Sequence, residues 1–346
     1  MYLDTFLPTE VVDQIYLSLP DISSVIALSS TCHRLHNIYH SSKRLVILSE
    51  AANAEFGPAH DAIQLLTHNA SQPAHIRRDV PISEALIKQL VKVGRSAQRW
   101  EELYPFKKWK TDYANRRLLT DHERYLVRRA IYRLWLFSKA FHNSSHVRTC
   151  RSIPEVVRER AALLHNFSTR ELAQMLDVHQ TLRDVVANNV CPSNGKIRQK
   201  FQKRFPESNH QLLFNIHLNY PPAPSSFVPD GWLYNSNIGR ARTDSRREPS
   251  RWHEPGAEGW GDDINHYYIV EDMMKLDPEQ ILHLKDQCPL KSHVEAYVKG
   301  IGEWFVNNGE TFSETLAFVV RQRGSDIEEV KAALEDGEAG IAVTDE

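Results

Sequence analysis

The sequence predicts a mostly α-helical chain with little or no β-structure. Three observations carry that expectation. Helix-start signatures recur: Thr120 with Glu123, Ser168 with Glu171, Thr311 with Glu314 and Ser325 with Glu328 each fit a capping box. In such a box the hydroxyl takes an orphan amide and the carboxylate returns to the cap. Behind these starts the apolar residues recur at helical rather than alternating spacing. Finally, there is no strand–helix–strand alternation, no series of short strands, and no repeat with a fixed apolar signature.

Element by element, Pro8 presets the first turn of an N-terminal helix and Glu10 sits near its positive end. Val11, Val12, Ile15, Tyr16 and Leu19 form its apolar stripe, and Pro20 ends it. Ser23 or Ser24 caps a second helix that carries Val25, Ile26, Leu28, Cys32, Leu35 and Ile38, before His40-Ser41-Ser42 breaks the pattern. A helix is expected over 83–93, stopped by Gly94. Another is expected over 121–142, with Leu126, Ala130, Ile131, Leu134, Phe137 and Phe141 on its stripe. A third follows over 169–187, with Leu172, Met175, Leu176, His179, Leu182 and Val186. The alternation of Phe214, Ile216, Leu218 and Tyr220 suits one half-buried strand or a short helix. Asp277-Pro278 reads as a cap followed by proline at the first helical position, where its missing N–H does no harm. A helix over 293–306 is expected to stop at Asn308-Gly309, since glycine carries no Cβ penalty in the left-handed conformation.

Between 220 and 262 lies a Pro/Gly-rich loop that also contains Trp232, Trp252 and Trp260. Long loops on rigid bodies often carry recognition, so these three tryptophans are the candidate substrate-binding residues. The stretch 337–346 is expected to be a mobile acidic tail.

Composition narrows the function classes. The chain has 346 residues, 41% apolar and 25% charged, with 42 Lys plus Arg against 44 Asp plus Glu. A net charge of -2 excludes a globally basic nucleic-acid binder. The balance hides an asymmetry: residues 95–204 carry 23 basic and 10 acidic side chains, whereas 262–346 carry 7 and 19. The two segments are expected to face each other in one helical body, with packing supplying the drive and charge choosing the register. No run of about 18 apolar residues predicts a membrane span. The N-terminus shows no basic stretch followed by a long apolar one, so no secretory signal is expected. Cys32, Cys150, Cys191 and Cys288 form no close pair, which points to a reducing compartment, cytoplasmic or nuclear.

Catalytic motifs are missing: no nucleophile elbow, phosphate loop, dinucleotide glycine pattern or His-Glu-x-x-His occurs. His142, His146 and Cys150 would share a face on a continuing helix, but Asn143-Ser144-Ser145 reads as a helix end and no fourth ligand lies near, so no metal and no cofactor are expected. His33, His36 and His40 share another face as surface residues. In the basic middle, Trp100, Tyr104, Phe106, Trp109 and Tyr113 interleave with Arg99, Lys107, Lys108, Lys110, Arg116 and Arg117. Such interleaving suits single-stranded nucleic acid, or a helical body with core tryptophans and solvated charges; the second reading is favoured because no nucleic-acid motif accompanies it.

The N-terminal stretch LPTEVVDQIYLSLPDISSVIALSSTCHRLHNIY resembles the F-box. The matching residues are Leu7-Pro8 and Glu10, then Ile15 and Leu19, then Val25, Leu28, Cys32, Arg34 and Leu35. The spacing is that of a variant common in fungal F-box proteins, and the likeness covers roughly residues 4–48. Two further stretches, HYYIVEDMMKLDPEQ and GEWFVNNGETFSETLAF, are similar to the helical bodies of fungal F-box proteins. The resemblance implies a three-helix F-box over 1–50 and an irregular helical body over 51–346. It also implies docking onto a Skp-type adaptor and through it a cullin scaffold. The chain would then be a substrate receptor that performs no chemistry itself and raises the local concentration of a client protein. The residues implied at the adaptor interface are Leu7, Pro8, Glu10, Val11, Ile15, Leu19, Val25, Leu28, Cys32 and Leu35. Two readings stand beside it: a scaffold that binds the adaptor or a helical partner without delivering a client, and a nucleic-acid-binding helical protein using 95–204.

Overall fold

The computed structural model describes residues 7–204, 259–261 and 263–343. Over these the chain is mostly helical, with fifteen α-helices and no strand. The expected strand or helix over 214–220 lies outside the described residues. In chain order the helices are α1 Thr9–Leu17, α2 Ile22–Ser29, α3 His33–Tyr39, α4 Arg44–Phe56, α5 Ala59–Thr67, α6 Glu84–Lys108, α7 Asp121–Phe141, α8 Pro154–His165, α9 Thr169–Val185 and α10 Asn194–Arg204. They continue as α11 Asp263–Met273, α12 Pro278–Gln287, α13 Lys291–Ile301, α14 Phe312–Gln322 and α15 Ile327–Glu335. Where one body was expected there are two compact units: Met1–Ala140 with Ala162–Val178 and Val320–Glu346, and Phe141–Ala161 with His179–Val319.

Local chemistry starts several helices as the sequence predicts. Thr120 N–H donates to Glu123 Oε2 at 2.7 Å and Glu123 N–H to Thr120 Oγ1 at 3.3 Å. Ser168 and Glu171 make the same exchange at 2.8 and 3.3 Å. Asp277 and Gln280 form a third box, with Pro278 at the first helical position. Two expected boxes are not made. Glu310, not Glu314, accepts from the amides of Phe312 and Ser313, because Glu314 is drawn away to Arg151 and Arg160. Asp326, one residue past Ser325, caps α15 by accepting from Glu328 N–H.

In the first unit, α6 runs straight through Gly94 instead of stopping there. Glycine is used here for its size: a Cβ at Gly94 would overlap Cβ, Cγ and Cδ1 of Phe56, so its absence lets α4 and α6 approach closely. Phe56 is itself fully buried and has no room to retreat. Gly94→Ala is therefore expected to destabilise this unit by about 1–3 kcal/mol, the usual range for overpacking, despite alanine's better helix propensity. Thermal or urea unfolding measures it; a stabilised variant would contradict the packing described.

Several charged groups within this unit's mainly apolar interior are paired. Arg133 donates to Asp61 at 2.9 Å and to Glu171 at 2.8 Å, and its guanidinium lies 4.3 Å from the Phe167 ring centre. Arg128 donates to Glu101 at 2.7 Å and to the Gly57 carbonyl. Asp177 is buried and accepts from Tyr104 Oη at 2.5 Å, Lys108 Nζ at 3.0 Å and Ile341 N–H at 3.0 Å. That last bond corrects the expected mobile tail. Ile341 and Ala342 are buried, and Gly340, at φ 98°, lies so close to the Asp177 carboxylate that a Cβ would collide with it. The mainly apolar Ile341-Ala342 pair is what the charge count concealed.

In the second unit, α13 ends at Gly302, with φ 119°, rather than at Asn308-Gly309. The amides of Asn307, Asn308 and Gly309 instead converge on the buried Asp272 carboxylate at 2.7, 2.9 and 2.7 Å. The left-handed residues Asn307 and Gly309 turn three successive N–H groups towards one anion, a job no helix end could do. α7 ends at Phe141, so His142, His146 and Cys150 do not share a helix face: His142 meets Thr311 and His146 meets Asn143. Arg183 pairs with Glu271 at 2.5 Å, and Arg151 and Arg160 share Glu314 at 2.7 and 3.0 Å. Each of these pairs joins the basic 95–204 segment to the acidic 262–346 segment. No disulfide joins the four cysteines.

Candidate partner-docking site

The N-terminal helices are built from short-range capping and a few long-range anchors. Pro8 is the N-cap of α1, and its carbonyl accepts from Val11 and Val12 N–H. Asp21, not a serine, caps α2: its carboxylate accepts from Ser24 N–H at 2.6 Å. The expected single second helix is two, α2 and α3, with Cys32 as the N-cap of α3. Ile22 N–H donates to Glu55 Oε2 at 3.2 Å, tying α2 to α4. Lys43 pairs with Asp13, and Arg34 donates to the Leu7 carbonyl.

Tyr16 is the centre of this small core. Its side chain is fully buried, and its hydroxyl donates to the Leu35 carbonyl at 3.0 Å. Burial pushes the phenol up to about 12, so it stays a neutral donor at every ordinary pH. Val12, Val25, Ile47 and Leu48 complete the interior.

The apolar stripe of α1 is wider than its neighbours cover. Val12 and Tyr16 form the edge that is buried. Pro8, Val11 and Ile15, spaced three and four residues apart on the other edge, stay in solvent, with Val11 at 41% and Ile15 at 38% exposure. Ile26 on α2 is 52% exposed. Leu7, Leu19, Leu28, Cys32 and Leu35 are half-buried, and Glu10 is exposed. Val25 is the exception among the expected interface residues: it faces the core at zero exposure and has no surface to offer a partner. Ile26, read from the sequence as an apolar position of the second helix but not as an interface residue, is the one that stands outside. His33, His36 and His40 are exposed, and the rings of His36 and His40 stack at 4.2 Å.

The tryptophan expectation is corrected for Trp260, which is buried, donates its amide to the Pro192 carbonyl at 3.0 Å and lies 5.1 Å from Lys291 Nζ. Trp232 and Trp252 lie outside the described residues. Trp100, Trp109 and Tyr104 are core, as the favoured reading of the basic middle has it, but Phe106 and Tyr113 are exposed. Among the described residues no group of three or more His, Cys, Asp or Glu is set to hold a metal ion, and no helix is long and apolar enough to cross a membrane. No family model matches the chain, and no curated protein and no solved structure matches it either.

Proposed function

We propose that this chain is an F-box-type substrate receptor: α1–α3 dock a Skp-type adaptor, and the remainder presents a client protein to the ubiquitin ligase that the adaptor joins. The observation that carries this reading is the uncovered edge of α1. Pro8, Val11 and Ile15 on α1, and Ile26 on α2, leave apolar surface in water within a stretch whose Leu-Pro start and Thr-Cys-His-Arg-Leu ending keep the order and spacing of the F-box. A module this small buries proportionately little of its own surface, and contiguous exposed apolar residues mark an interaction site.

The magnitudes support a docking role. Fully burying a Val or Ile side chain is worth roughly 1.5–3 kcal/mol, and at about 40% exposure roughly 1 kcal/mol of that remains available to a partner. Three or four such residues together offer roughly 3–4 kcal/mol, part of the roughly 8 kcal/mol of a micromolar complex, with the half-buried leucines and polar contacts left to supply the rest. Replacing Val11 and Ile15 with aspartate removes that gain and also requires two carboxylates to be desolvated. The double variant is expected to lose adaptor binding by about 100-fold or more in a pull-down or calorimetric titration with a purified Skp-type adaptor. Both side chains lie outside the core, so its unfolding midpoint should match the parent. Retained adaptor binding by a folded double variant would sink the proposal. A receptor should further accumulate ubiquitinated clients when the proteasome is inhibited.

A further inference from the structure

A second exposed surface in the first unit uses no residue of α1–α3. At the end of α6 and in the segment before α7, three large apolar side chains stand in solvent: Phe106 at 61%, Tyr113 at 74% and Leu118 at 81% exposure. Phe106 and Leu118, with Pro105 and Leu119, form the apolar part of a cleft of about 760 Å³. One side chain contacts both exposed rings. The Arg116 guanidinium lies 5.6 Å from the Phe106 ring centre and 4.9 Å from that of Tyr113, and its Nη2 donates to the Trp109 carbonyl at 3.2 Å.

The charges around the cleft are unequal in how they are met. Arg117 is neutralised by a two-point pair with Glu123, both bonds at 2.6 Å. Arg124 lies 3.7 Å from Glu101, which the buried Arg128 also holds. Arg116 has no carboxylate partner among the described residues. Stacking uses the faces of a guanidinium and leaves its in-plane N–H donors, of which one here is spent on Trp109. A carboxylate matches those donors in two-point geometry.

We infer that this cleft is a docking site for a short linear peptide that carries an aromatic or leucine anchor next to a carboxylate. The anchor packs on Pro105, Phe106 and Leu118, and the carboxylate meets Arg116. Aromatics beside arginine also suit single-stranded nucleic acid. Arg117 and Arg124 already face carboxylates, however, and Glu102 lines the same cleft, so the site offers one cation, Arg116, which matches a single carboxylate rather than a phosphate chain.

The test uses the full chain and fluorescence anisotropy. The probe is a fluorescein-labelled pool of peptides with Phe followed by Asp at the centre and Gly/Ser flanks. Control pools carry Ser for the Phe or Lys for the Asp, and a labelled oligothymidylate of matched length is the nucleic-acid probe. Saturable binding of the Phe-Asp pool is expected, with both control pools and the variants Arg116→Glu and Leu118→Ser each weaker by about tenfold or more. Unchanged melting of the variants shows that the fold is intact, and the Val11/Ile15 aspartate variant should bind the pool as the parent does, which separates this site from adaptor docking. Absence of saturable binding by the Phe-Asp pool, equal binding by parent and variants, or tighter binding of the oligothymidylate would each overturn the assignment.

Discussion

Replacing Arg133 with methionine is expected to destabilise the first unit by about 3–5 kcal/mol, the cost of leaving buried charge uncompensated. The side chain is only 6% exposed and is the hub between Asp61 on α5 and Glu171 on α9. Burial alone pushes the Asp61 carboxyl up. The close contact with His60, 3.0 Å away, and the charge and hydrogen bond of Arg133 outweigh it and hold Asp61 below the usual carboxylate range. Glu171 reaches about 2 by the same contest: burial opposes, while the Ser168 amide and Arg133 prevail. Methionine keeps most of the volume and the contact with Phe167, so the loss reads the electrostatics rather than a cavity. Removing both partners should cost less than removing one. Arg133→Met with Asp61→Leu is therefore expected to recover part of the stability lost in Arg133→Met alone. Urea unfolding of the four proteins of this cycle measures the coupling. A single-variant loss of under about 1 kcal/mol would mean that the pair is far more solvated than its burial implies.

The second unit is expected to lose stability as pH falls below about 6.5, before carboxylates begin to titrate. His179 is buried against Phe312, with ring centres 4.9 Å apart, and its Nε2 meets no hydrogen-bond partner. Burial, aided by the positive charge of Arg183 and only partly opposed by Glu271, lowers its pKa to about 3. His142 is also buried and lies well below its ordinary value, first through burial and then through Lys275, His179 and Arg160. Above pH 6.5 both rings are neutral folded or unfolded, and neither affects stability. Below it the unfolded chain binds protons that the folded chain refuses, so stability falls with pH. Each ring contributes a slope approaching 1.4 kcal/mol per pH unit, in round figures about 2 kcal/mol for His179 alone by pH 5. His179→Phe keeps the ring against Phe312 and removes one titrating group, so its loss between about pH 7.5 and 5 should be smaller by that amount. Urea unfolding of parent and variant at a series of pH values reads it. An identical pH slope in parent and variant would show that His179 takes its proton without unfolding.

Much of the helical architecture is local and was legible in the residues. Two of the four expected capping boxes, the Asp277-Pro278 start and the stripes of α7 and α9 depend on neighbours within four positions along the chain, so one-dimensional spacing suffices to place them. The Leu7-Pro8 start and the apolar edge of α1 were legible for the same reason. What faces a stripe is not a local property. Val25 and Ile26 are adjacent and almost equally apolar, yet only the packing of α2 against α3 and α4 decided that Val25 is core and Ile26 surface. Gly94 reads equally as a helix stop or as a place where two helices touch, and the Phe56 ring made it the second. Asn308-Gly309 has the composition of a helix end, but Asp272, 36 residues earlier, captured its amides. The acidic C-terminal stretch was drawn in by Asp177 through one backbone bond and two small apolar residues, which a charge count cannot register. Arg116 likewise looked like one cation in a basic run until the fold set it between two exposed rings. The sequence by itself determined where helices begin and which residues are apolar; the tertiary structure alone decided which apolar and charged groups remain uncovered, because burial depends on what arrives from elsewhere in the chain.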